Sequence, residues 1–317
     1  MQITNKYGLP QTLVNAALRD TYSRGAAHIS VTGLIDAPQV RLLKHKHGRE
    51  ISRDVSEMIW AIMGKAVHAV LELGADAEHI AEERLFLEVD GWVVSGQIDL
   101  QRLKSGAVKA TDYKLTSAFN AMNEKIEWER QLNCYAYLLY RVLGYKVEGL
   151  EVVALIRDWS RRNADRDPSY PQAPAWPIPI KLWAIEEQEA YVRERVRLHQ
   201  DSEMAADMGD DLAPCSDEER WYRPEVRCTE YAVIKEGAKR PLRVVDTLEE
   251  ATKLASELKA GVKDRSHVKW PERHTRCERY CDAAPWCKQW ARIASKRPGN
   301  HAGGASSIEG DAEPEEG

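Results

Sequence analysis

Between residues 54 and 157 the hydrophobic period of this 317-residue chain changes from helical to alternating and back, which leaves few folds open. From Asp54 to about Gly74 apolar residues recur at helical spacing. Then Leu85, Leu87 and Val89 alternate with charged residues, Asp90-Gly91 reads as a hairpin turn, and Trp92 begins a return strand running through Gln97, Ile98, Asp99 and Leu100. A further strand is predicted over 107–115. An amphipathic helix follows over 123–143, with Trp128, Leu132, Tyr135, Ala136 and Leu139 on one face and Gly144 at its end. Leu150 to Arg157 is another apolar strand. Helix, three strands, helix, strand describes an α/β core with a mixed central sheet flanked by helices.

Around this core the spacing predicts a helix over 10–22, a proline-rich loop over 158–180, a helix from Ile185 to Met208, and a strand pair near Tyr231–Lys235 and Leu242–Val245. Thr247 begins another helix, and the composition from about 296 onward is that of a disordered tail. The expected division is an N-terminal helical segment (1–54), a core (55–157), a helical and cysteine-bearing region packed on it (158–295), and an acidic tail (296–317).

The net charge is -5, but the excess is local. From Ala302 onward the chain carries Glu309, Asp311, Glu313, Glu315 and Glu316 and no base; without them acids and bases balance at 45 each. A neutral body can still present a basic groove, so the balance does not exclude nucleic acid. The first residues lack the apolar stretch of a secretory leader, and no apolar run approaches membrane-spanning length, so a cytoplasmic protein is expected.

The chemistry concentrates in Gly96-Gln97-Ile98-Asp99 and, thirteen residues after Asp99, Asp112-Tyr113-Lys114. Alternation puts Asp112 and Lys114 on one strand face with Tyr113 turned away, and Asp99 on a neighbouring strand reaches the same region. Two carboxylates offer hard oxygen ligands for Mg²⁺ or Mn²⁺. An ammonium beside them can orient a water or stabilise charge on a phosphoryl transition state. Glu88 is a further candidate acid.

The ordered set GKAVHAVLE, GQID, DYK and QLNCY resembles that of RecB/Cas4-like nucleases of the PD-(D/E)XK superfamily. The resemblance implies His68, Asp99, Asp112 and Tyr113 about a metal, and Lys114 in catalysis with His68, Asp99 and Asp112. It also implies DNA contact by Gln131 and Tyr135, which stand at i and i+4 on one helix face. The implied activity is that of a metal-dependent DNA exonuclease of the phage type, acting on DNA with a free end in recombination or end processing. Its implied partners are a recombinase or single-strand-binding protein. A structure-specific endonuclease and a non-catalytic DNA-binding adaptor are the alternatives.

Cys277, Cys281 and Cys287 form C-x3-C-x5-C, a pattern suited to zinc or an iron–sulfur cluster with one more ligand. The resemblance implies a [4Fe–4S] cluster. Its relatives carry an N-terminal cysteine about where this chain has Ala37, so Cys215 is the expected fourth ligand, with Cys228 and then His274 behind it. Cys134 is expected to pack within its helix. The run from Arg157 to Arg162 and the basic run Arg41–His47 are candidate phosphate-contacting surfaces, each with a solvated charged surface as its alternative.

Overall fold

The structure is a computed structural model and describes residues 1–296, apart from 20–23, 105, 124, 228–229, 239, 265–268 and 271. Strand β1 (Gln2–Thr4), helix α1 (Gln11–Leu18), β2 (Ile29–Ser30), α2 (Val31–Leu34), α3 (Pro38–Lys46) and β3 (Ser52–Asp54) lead into α4 (Ile59–Glu72). A 3₁₀ turn over Val55–Met58 starts α4. Asp54 accepts from Ser56 N at 3.1 Å and Glu57 reaches back to Asp54 N, a capping box that satisfies donors the turn leaves open.

The core then follows the predicted order: β4 (His79–Val89), β5 (Trp92–Lys104), β6 (Ala107–Thr116), a short α5 (Ala118–Met122), α6 (Ile126–Leu143) and β7 (Lys146–Ile156). Asp90 (φ 47°) and Gly91 (φ 81°) make the left-handed turn between β4 and β5. Strands β5 and β6 are antiparallel, and β6 and β7, joined through α6, are parallel.

The proline-rich stretch differs from its predicted loop. It contains α7 (Arg161–Ala164) and β8 (Ala175–Ile180), which pairs antiparallel with β7 at the sheet edge. Pro177 and Pro179 stand two apart, so both missing donors fall on one side of the strand, as only an edge position tolerates. Beyond it α8 runs Ile185–Met208, as the periodicity predicts.

The remaining elements are β9 (Tyr222–Arg223), β10 (Val226–Arg227), β11 (Tyr231–Ile234), β12 (Arg243–Val245), α9 (Leu248–Leu258), β13 (Gly261–Asp264), β14 (Lys269–Trp270), β15 (Arg273–His274), α10 (Thr275–Arg279) and α11 (Lys288–Ala294). Strands β12, β11 and β13 form a small sheet around Val233, Val245, Ala251 and Ala255, with α9 laid on it.

The way β5 shares its edges positions the site. One edge pairs with β4 along its length. The other pairs with β2 at Val94 and Ser95 and with β6 from Leu100 onward, leaving residues 96–99 unpaired on that side. The sheet parts there. Helix α6 covers the same place, burying Trp128, Leu132, Tyr135, Leu138 and Leu139 in the main core. It comes so close that a Cβ on Gly96 would lie 3.0 Å from the side chains of Tyr135 and Leu138. Helix α4, by contrast, has no buried residue. Among the described residues no helix is long and apolar enough to cross a membrane.

Candidate active site

Where β6 leaves β5, the Asp99 carboxylate replaces the missing ladder partner: its Oδ2 accepts from the main-chain N–H of Tyr113 at 2.8 Å. Asp112 is next along β6 and only 1% exposed. Its Oδ1 accepts from Gln131 Nε2 at 3.2 Å, and Lys114 Nζ lies 2.6 Å from its Oδ2. Lys114 also donates to Gln131 Oε1 at 3.1 Å, and Gln131 donates to the Tyr135 hydroxyl at 2.8 Å. Helix α6 thus holds the carboxylate and the ammonium in one hydrogen-bonded frame. Tyr113 turns the other way, as strand alternation requires, and meets the edge of the His68 ring from α4 at 6.4 Å.

On the α4 side His68 Nδ1 lies 3.1 Å from Glu82 Oε1 and 3.6 Å from Asp99 Oδ2. Ligand atoms of His68, Glu82 and Asp99 all fall within 4.8 Å of one another. Asp112 stands outside that trio, engaged with Lys114 and Gln131.

Sequence reading missed Glu82. Glu88, its candidate further acid, is exposed near the hairpin tip. Glu82 faces Asp99 at a break in the β4–β5 ladder, where its own φ is +52°. A non-glycine residue in that region is uncommon, and such strain tends to gather at functional sites. Gln97 Nε2 donates to Glu82 Oε2 at 2.6 Å, and Arg84 in turn donates to Gln97 Oε1. The glutamine of GQID therefore orients an acid fifteen residues upstream.

The electrostatics suit a cation. Burial, with the nearby Asp112 charge, pushes the Asp99 carboxyl up to about 7. The hydrogen bond to Glu82, and then the charge of Asp99, raise the His68 imidazolium. Three acids converge with one lysine, whose ammonium is paired with Asp112. Two carboxylates and an imidazole at this spacing fit a divalent metal ion.

The sequence profile of the PD-(D/E)XK nuclease superfamily matches residues 12–288. The chain is a member of the PD-(D/E)XK nuclease superfamily. Nucleases of this superfamily use divalent metals and act on DNA, and in this chain His68, Glu82 and Asp99 lie close enough together to hold such an ion. Among solved structures, the crystal structure of SSO0001 is similar at a TM-score of 0.43, with 17% identity over 59% of this chain and 85% of that one. No curated protein matches.

The cysteines fall in a second place. Cys215, Cys277, Cys281 and Cys287 line one cavity with Gln39, Val40, Arg276 and Trp290. Burial pushes the Cys215 thiol up to about 12 and the Cys277 thiol to about 11, and in each case neighbouring cysteines add to the shift. Cys215 donates to Gln39 Oε1 at 3.4 Å, and Cys287 Sγ accepts from Trp290 N at 3.3 Å. Ala37 is fully buried in the same small cluster as Cys215 and Ala283. His274 adjoins the cavity wall, its Nδ1 2.8 Å from Arg220 Nη1 and its ring 6.2 Å from that of Trp290. Cys134 packs in the main core. Cys228 and the acidic tail from 297 lie outside the described residues.

Part of the basic run Arg41–His47 is engaged within the protein, while His45 and Lys46 are exposed. Arg41 bonds His199 and Glu203, Lys44 lies 3.3 Å from Asp282, and His47 stacks on Trp286 at 4.7 Å. Trp159 likewise packs on the core, its Nε1 donating to Pro171 O at 2.7 Å.

Proposed function

We propose that this superfamily member is a Mg²⁺- or Mn²⁺-dependent DNA exonuclease, with His68, Glu82 and Asp99 as metal ligands and Lys114 as the catalytic cation. The observation that carries the catalytic part is the Lys114–Asp112–Gln131 frame beside the His68–Glu82–Asp99 trio, at the parting of β5 and β6. When bound, a divalent ion supplies Lewis acidity toward the phosphoryl group and lowers the pKa of water at the site. The protein's share is positioning. Asp112 and Gln131 aim the Lys114 ammonium at the space where charge develops on the phosphoryl oxygens and where an attacking water is oriented. Gln97 steadies Glu82, and Tyr113 N–H steadies Asp99. Tyr113 takes part through this main-chain contact.

Attack from a DNA end, as opposed to internal cutting, is supported by the likeness of the motif set to RecB/Cas4-like nucleases. A recombinase or single-strand-binding partner and a cytoplasmic location rest on sequence reading alone, as does the division at 54, 157 and 295. The test is cleavage of end-labelled linear and covalently closed DNA with Mg²⁺, Mn²⁺ or chelator, by wild type and Asp112→Ala. Metal-dependent shortening of linear DNA alone, lost in the variant, is the expected outcome. Cutting of closed circles moves the assignment to an endonuclease, and no cleavage at all moves it to a DNA-binding adaptor.

We also propose that Cys215, Cys277, Cys281 and Cys287 hold a [4Fe–4S] cluster. Four thiols on one buried cavity fit such a group, and Arg276 on its wall offsets thiolate charge.

A further inference from the structure

Helix α4 turns apolar side chains outward beside the active site. Trp60 is 50% exposed and Met63 42%, and His68 follows on the same helix. The Arg157 guanidinium lies 4.5 Å from the centre of the Trp60 ring. Arg157 itself is exposed and directly follows β7, its N–H bonded to Thr116 O at 2.9 Å. Thr116 is two residues past Lys114 on β6. The next element, α5, is tied to the same loop, because Ala118 N donates to Asp158 Oδ1 at 2.7 Å. Helix α5 carries Phe119, 64% exposed, and Met122, 45% exposed. Exposed Arg161 and Arg162 follow in α7.

We propose that Trp60, backed by Arg157, is a stacking site for the bases of an unpaired DNA strand, with Phe119 as a second platform and Arg161 and Arg162 as phosphate contacts. This rests on the nuclease reading of the neighbouring site and deepens it by naming single-stranded DNA as what the site receives. A ring held on one side by a guanidinium and open to solvent offers its remaining surface to a base, and the cation serves both the ring and the phosphates. Bases inside a duplex are already stacked, so such a platform selects unpaired ones. The distance suits a strand leading into the site. Thr116 lies about 7 Å beyond Lys114 along the strand, and Trp60 about 12 Å before His68 along its helix. That separation spans a few nucleotides.

The experiment is fluorescence anisotropy of labelled oligothymidylate, the same oligomer without bases, and blunt duplex. Each is titrated with wild type, Trp60→Ala, Trp60→Phe and Phe119→Ala in metal-free buffer. Trp60→Ala is expected to weaken oligothymidylate binding about tenfold, the scale of one lost base stack. Trp60→Phe restores most of it, duplex affinity stays within about threefold on that same scale, and the base-free oligomer binds all proteins alike. Equal losses on duplex and single strand overturn the proposal, as does unchanged single-strand affinity in a Trp60→Ala protein that melts like wild type. A changed sedimentation coefficient with unchanged DNA binding also overturns it, by reassigning the patch to a protein contact. Because binding is read without cleavage, an inactive wild type that still shows the Trp60 effect would sink the nuclease reading and leave this one standing.

Discussion

Lys114 Nζ sits 2.6 Å from Asp112 Oδ2 while donating to Gln131 Oε1, so a strand residue and a helix residue together fix the ammonium. Lys114→Ala removes a charge aimed at the transition state. The expected result is a fall in kcat on the order of 10²–10³-fold with DNA affinity nearly unchanged. Single-turnover cleavage beside anisotropy on the same DNA measures both. Cleavage within a few-fold of wild type would remove Lys114 from the mechanism.

Glu82, and not Glu88, is expected to matter for the metal. Gln97→Ala, which frees the Glu82 carboxylate from its 2.6 Å hydrogen bond, should weaken Mn²⁺ binding about 10–100-fold. Glu82→Ala should weaken it at least as much, and Glu88→Ala should leave it unchanged. Calorimetric titration of the three variants decides, and a normal Glu82→Ala isotherm would exclude that ligand.

Asp99 sets a pH dependence. Its carboxyl is raised from 3.8 to about 7, so in the metal-free protein its contribution to stability is fully present below about 4 and is lost as pH rises through about 7. A metal needs the charged form, so apparent Mn²⁺ affinity should fall about tenfold per pH unit below about 7 if one proton is displaced. Calorimetry across that range, with heats compared in two buffers, tests it. No proton release near neutrality would contradict the raised Asp99 carboxyl.

Cys215→Ala should lose most of its iron and the visible absorbance of an iron–sulfur chromophore, whereas Cys134→Ala should keep both. Ala37 lies in the same small cluster as Cys215, so Ala37→Cys is expected to restore iron to the Cys215→Ala protein. Iron analysis and anaerobic absorption spectra give the readout. Full iron content in Cys215→Ala would move the fourth ligand elsewhere, Cys228 being the remaining cysteine.

His199 is buried, and burial pulls its imidazole down from 6.5 to about 4. Its neutral ring accepts from Arg41 at Nδ1 and faces Leu34 O at Nε2 across 3.1 Å. A lowered pKa in a base means stability present above 6.5 and lost as pH falls toward about 4. The melting temperature should therefore fall with acid in that window for wild type, and less for His199→Gln. Parallel curves for both proteins would argue against this role.

The periods of the sequence by themselves determined the core order, the Asp90-Gly91 hairpin, the parallel step through α6, and the shared face of Asp112 and Lys114. Each depends on residues near one another in the chain, where a period of 2 or 3.6 is enough to place a side chain. Gln131 and Tyr135 were legible for the same reason, one helical turn apart. Tertiary structure alone decided that Glu82 joins Asp99, because a left-handed residue inside a strand breaks the alternation from which faces are read. It also decided that Cys215 and Ala37 meet, across 178 positions of chain. The same holds for Trp60, whose helix is marked by its period but whose exposure is set by the packing around it. Such meetings are set by how sheet edges are shared and how helices pack over them, and no local pattern carries that information.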